Sequence, residues 1–182
     1  MLNGVPNTAF TEALAFVFQE RDLFLLNMKD NNPEKEYTKT LDIFWSLYEI
    51  MGVSMVDMKM WQWLYANPNV TAVELRDAVL QISKDIWNAY YAPVFGMKDQ
   101  TILGIYSHMI NSPMYLPNYA FGHLIHFQLE EHFKTHEFAP EVLRIYALGQ
   151  LTPNEWMKLA VGTPLSNEAI LKAAEGVVEK MN

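Results

Sequence analysis

The chain has 182 residues, 51% of them hydrophobic and 19% charged, with a formal charge of −8 and no cysteine. That length buries a core without staples, and the lack of cysteine excludes a disulfide framework and a thiolate metal site. The lysines and arginines are scattered, so no nucleic-acid partner is expected, and apolar runs such as Ala13 to Phe18 are too short for a transmembrane segment.

The opening residues, Met-Leu-Asn-Gly-Val-Pro-Asn, lack the basic region and apolar core of a signal peptide. They read as a loop entering a helix, as in a chain cut from the middle of a longer protein. No pattern assigns a compartment. Apolar periodicity is helical nearly throughout, with no clean alternation for a strand. A first helix is expected from about Thr8 to Leu26, ending before the polar stretch Lys29 to Pro33. A second covers about Tyr37 to Met51, where Leu41, Phe44, Trp45 and Tyr48 recur at helical spacing. It continues to Tyr65 if Gly52 is tolerated, at a cost of about 1 kcal/mol. Thr71 with Glu74 forms a capping box opening a helix to about Tyr90. Pro93 and Gly96 mark a turn, and a short helix is expected over Gln100 to Met109. Asn111-Ser112-Pro113 leads into a helix from about Leu116 to Thr135. Thr152, Pro153 and Glu155 start another, and Ser166 opens the last, to near Lys180. The reading is a single all-α domain of seven to nine helices, without repeats or linkers.

Three groups of residues carry possible chemistry. Glu12 lies in a nearly apolar helix with small neighbours Ala9, Ala13 and Ala15. It is either a carboxylate kept for a positive partner or an ordinary first-turn acid favoured by the helix dipole. His108, Tyr115 and Tyr119 flank a proline-containing loop at a helix start. There they either donate hydrogen bonds to a developing oxyanion or pack as amphipathic residues with surface hydroxyls. Tyr119, His123, His126 and Glu130 share one helix face. His123, His126 and Glu130 form a possible two-histidine, one-carboxylate metal set, or else a solvated or cleft-lining face. His132 and His136 suit the C-terminal dipole of the same helix. There is no phosphate-binding glycine loop and no Gly-x-Ser-x-Gly nucleophile elbow.

Two of these segments together resemble the gluzincin zinc metallopeptidases, the helical enzymes related to thimet oligopeptidase, oligoendopeptidase F, carboxypeptidase Taq and angiotensin-converting enzyme. Asn7-Thr8-Ala9-Phe10-Thr11-Glu12-Ala13 is similar to the start of the helix that carries the family's third zinc ligand. Met114-Tyr115-Leu116-Pro117-Asn118-Tyr119-Ala120-Phe121-Gly122 resembles the Tyr-Phe-Pro-x-Tyr-Ala-Leu-Gly run of carboxypeptidase Taq. The spacing of His108, Tyr115 and Tyr119 is similar to that of a histidine and two tyrosines in angiotensin-converting enzyme. The resemblance spans Asn7 to about Phe133 and implies the helical C-terminal part of a zincin-like peptidase. Glu12 would be a zinc ligand, and His108, Tyr115 and Tyr119 would hold the scissile carbonyl of a peptide substrate. One departure bears on activity. The sequence has no His-Glu-x-x-His; its single His-Glu pair, His136-Glu137, is followed by Phe-Ala-Pro.

Catalysis of this kind needs zinc to polarise the carbonyl and activate water, with the motif glutamate as general base. The expectation is therefore that the chain alone neither binds zinc tightly nor hydrolyses peptides. The rest of the site would come from a missing N-terminal part of the same protein, and the exposed cut face would favour self-association. The alternatives are a non-catalytic helical binding or scaffold domain of peptidase-like shape, and an independent metalloprotein using His123, His126 and Glu130.

Overall fold

The helical periodicity is realised along the chain. The computed structural model describes residues 7–26 and 33–181, and among them every regular element is helical and no strand forms. None of these helices is long and apolar enough to cross a membrane. The elements in order are α1 (Thr8–Leu25), α2 (Pro33–Ala66), α3 (Ala72–Ile86), α4 (Ala92–Phe95), α5 (His108–Asn111), α6 (Pro117–Phe133), α7 (Phe138–Tyr146), α8 (Pro153–Val161) and α9 (Glu168–Met181). The chain divides into two compact units, Met1–Ser46 with Asn118–Asn182, and Leu47–Pro117. The division falls inside α2, so no shift in composition or linker marks it in the sequence.

In the first unit, α1 starts where Asn7 accepts the Ala9 N–H at 3.0 Å, satisfying one of the donors that a helix start leaves open. Its Ala9, Phe10, Ala13 and Val17 are buried with Ile125, Leu129 and Phe133 of α6, the latter at i, i+4 and i+8. Ile145 of α7 and Trp156, Met157 and Ala160 of α8 complete this core. The Phe10 and Trp156 rings meet edge to face with centroids 4.4 Å apart. Gly122 lets α1 and α6 come close. A Cβ there would lie 2.9 Å from the Glu12 Cβ and 3.3 Å from the Ala9 carbonyl oxygen.

The Leu47–Pro117 unit buries Leu47, Val53, Val56 and Met60 of α2 with Ile86, Trp87, Tyr91, Leu103, Met109 and Leu116. Helix α2 runs unbroken through Gly52, which leaves room for Tyr91: a Cβ at Gly52 would sit 2.2 Å from its hydroxyl oxygen. The Tyr91 hydroxyl donates a short hydrogen bond to the Tyr48 carbonyl. The Tyr48 hydroxyl donates to the Tyr90 carbonyl at 2.5 Å, a reciprocal latch.

Several elements depart from the sequence-based expectations. The helix opened by the Thr71–Glu74 capping box does not stay α-helical to Tyr90: after Ile86 it widens into a π turn, Trp87–Tyr91, before α4. The wider turn accommodates Pro93, which has no N–H and would crowd the carbonyl of the preceding turn. The expected helix over Gln100 to Met109 is instead a 3-10 turn, Ile102–Gly104, followed by the short α5. Thr101, Ile102 and Ile105 are β-branched and disfavour continuous helix. Helix α7, which periodicity did not mark, forms without a side-chain cap and carries Pro140 in its first turn. At α8 the Thr152 hydroxyl donates to the Glu155 carboxylate at 2.7 Å rather than accepting a backbone N–H. The last helix begins two residues after Ser166, whose hydroxyl accepts the Glu168 N–H at 3.0 Å.

Candidate functional site

Glu12 sits in the second turn of α1, half-buried, at the close approach to Gly122 of α6. Tyr119 is also half-buried and precedes Gly122 by three residues, which puts the two on one helix face about a turn apart. His108 and Tyr115 belong to the Leu47–Pro117 unit. Their rings lie near parallel with centroids 6.3 Å apart, His108 exposed and Tyr115 half-buried. Two backbone turns set that spacing: the Ser112 N–H donates to the His108 carbonyl at 2.8 Å, and the Tyr115 N–H to the Ser112 carbonyl at 3.0 Å. Just before Tyr115, Met114 adopts φ 58°. The buried Asp57 carboxylate is faced by the Met114 and Leu116 N–H groups and the Trp61 indole, none at normal hydrogen-bond geometry. Burial outweighs their pull and raises the Asp57 pKa.

The structure thus brings His108 to Tyr115 within one unit, and places Glu12 against the Tyr119-bearing helix within the other. Glu12 on its own does not meet the needs of a catalytic zinc, which takes three protein ligands. Among the described residues it belongs to no group of three potential ligands.

The polar stripe of α6 is arranged differently from the expected His123, His126 and Glu130 set. His123 stacks on Phe16 with centroids 4.0 Å apart and planes 4° apart, and burial lowers its pKa to about 4. In its place Glu20, from the next-to-last turn of α1, joins His126 and Glu130; one ligand atom of each lies within 4.8 Å of the others. His126 is 1% exposed, and neither ring nitrogen has a hydrogen-bond partner among the described residues. Its Nε2 is 3.5 Å from Glu20 Oε1 and 3.8 Å from Glu130 Oε1. Burial first, then His123, Arg21 and Lys39, lower its pKa to about 3, so it is neutral near pH 7.

Glu20 is held above its ordinary pKa, chiefly by burial. Arg21 forks onto both Glu130 oxygens, with Nη2 2.8 Å from Oε2, and also donates to the Val17 carbonyl at 3.1 Å. Its guanidinium carbon lies 4.1 Å from the Phe138 ring centroid, which holds the fork in place. The approach of Glu20 to His126 has no signature in spacing, because no spacing rule connects residue 20 to residue 126. A Glu-Arg pair within an apolar helix was the available signal.

His132 and His136 have a local role. His132 Nε2 lies 2.7 Å from Glu141 Oε2, and Arg144 also holds that carboxylate; together they lower the Glu141 pKa to about 2. Arg144 further donates to the Leu159 and Ala160 carbonyls at 2.9 and 2.6 Å, satisfying acceptors at the end of α8. His136 Nδ1 lies 2.9 Å from the His132 carbonyl oxygen, at the C-terminal end of α6. Compared with known proteins, the chain matches no family model, no curated protein and no solved structure.

Proposed function

We propose that this chain is the C-terminal helical part of a zinc-dependent peptidase, forming one side of a peptide-cleaving site and inactive without the rest. The observation that carries the reading is Glu12 at the close contact of α1 with Gly122, one turn along from Tyr119. A carboxylate on a rigid helix, next to small residues and near a tyrosine at a helix start, suits a ligand supplied to a metal held mainly by other residues. In such an enzyme zinc polarises the scissile carbonyl and activates water. The work of this chain is to supply the Glu12 carboxylate and to donate a hydrogen bond from Tyr119 to the developing oxyanion. The sequence has no His-Glu-x-x-His, so the general base lies outside it.

The test is to isolate the endogenous protein with an antibody against this chain, and to sequence it by mass spectrometry. A species carrying His-Glu-x-x-His, with chelator-sensitive peptidase activity lost on Glu12→Gln, is the expected result. A species without that motif would overturn the reading and leave a helical scaffold. Chelator-sensitive peptide hydrolysis by this chain alone would overturn it as well.

A further inference from the structure

We propose that Glu20, His126 and Glu130 bind a first-row divalent cation of the zinc class, in a site separate from Glu12. Glu12 and Glu20 are eight residues apart on α1, about 12 Å along the helix. Three observations converge. His126 is almost fully buried, yet both ring nitrogens lack hydrogen-bond partners among the described residues, a costly state for a polar group unless something accepts its lone pair. The Nε2 to carboxylate distances, 3.5 and 3.8 Å, are too long for good hydrogen bonds. They are close to the spacing of two ligands on one tetrahedral ion: at about 2.1 Å per bond, neighbouring ligand atoms stand roughly 3.4 Å apart.

The supporting shell is also present. Metal-ligating carboxylates are commonly hydrogen-bonded from behind, and the Arg21 fork does this for Glu130 while leaving lone pairs on its oxygens. The Glu20 and Glu130 side chains are 27% and 23% exposed, which gives an ion and its water a way in. One imidazole and two carboxylates form a nitrogen–oxygen set suited to zinc, cobalt or manganese. Arg21 and Lys39 offset part of the carboxylate charge, so the ion is exchangeable and clamps α1 to α6.

The test titrates the metal-free full chain with Zn²⁺ at neutral pH by calorimetry, and with Co²⁺ by visible absorption. One equivalent should bind, and the melting temperature should rise with zinc concentration. Glu20→Gln and His126→Gln should each weaken binding by at least about tenfold, while Glu12→Gln leaves it unchanged. Absence of saturable binding by the unaltered chain, undiminished binding in both ligand variants, or loss only in Glu12→Gln would overturn the proposal.

Replacing a buried histidine can unfold a chain, so a second measurement uses the unaltered protein. Of the five histidines, His126 alone should show a zinc-dependent shift of its Nε2 resonance in long-range ¹H–¹⁵N spectra. A shift at a different histidine, with His126 unmoved, would overturn the assignment.

Discussion

Two buried polar side chains, Tyr91 in one unit and His126 in the other, are handled in opposite ways. In Leu47–Pro117 the buried hydroxyl of Tyr91 is given to a backbone carbonyl, and Tyr48 returns the bond; burial pushes the Tyr91 pKa up to about 12. That latch is complete, and it has the character of scaffolding. In the other unit the buried ring of His126 is left without partners among the described residues, beside two carboxylates at distances that suit an ion better than a hydrogen bond. A satisfied polar group explains itself by stability, whereas an unsatisfied one calls for a ligand or a cost.

The largest expected effect lies in the apolar core beside the polar cluster. Trp156→Ala, at a residue 1% exposed against Phe10, should lower stability by about 3–5 kcal/mol in urea denaturation. A loss below about 1 kcal/mol would mean that this core is not what holds α1, α6 and α8 together.

Acid is the next lever, because it acts on one unit's histidines. His123 and His126 titrate near 6.5 when unfolded and near 4 and 3 when folded, so the unfolded chain binds more protons between those values. Their contribution to stability is complete above about pH 6.5 and is lost as pH falls toward 4. The loss is about 1.4 kcal/mol per pH unit for each extra proton. Glu20 opposes this: its raised pKa gives stability at low pH that is lost as pH rises. Denaturation of the metal-free chain from pH 7 to 4.5 should therefore show falling stability, and His126→Gln should flatten the slope. A pH-independent midpoint would contradict burial of the two rings.

The close approaches in each unit come next. Gly52→Ala drives a methyl into the Tyr91 ring, and Gly122→Ala drives one toward Glu12 and the Ala9 carbonyl. Each should cost about 1–3 kcal/mol by thermal or chemical denaturation. Equal stability of either variant with the parent would show that the helices part easily there. Gly176→Ala is the counterpart and the smallest effect. It lies within α9 with nothing within 4 Å of the added carbon, and should stabilise by about 0.5–1 kcal/mol.

Much was legible in the sequence because it depends on neighbours along the chain. Helical class, the α1 start at Thr8, the Thr71 capping box and the helix after Pro117 follow from 3.6-residue periodicity and terminal residue chemistry. Where those local signals conflict, as at Pro93 or in the β-branched stretch around Ile102, packing and sterics set a π turn and a 3-10 turn instead of regular helix. The α6 stripe was visible as a stripe, but not its partners. Whether His123 or Glu20 stands beside His126 depends on how α1 crosses α6. That crossing is set by Gly122, which permits the contact, and by Phe16, which stacks on His123. Spacing along one helix tells which side chains share a face; only the tertiary structure decides what that face meets, because residues 20 and 126 are brought together by packing alone.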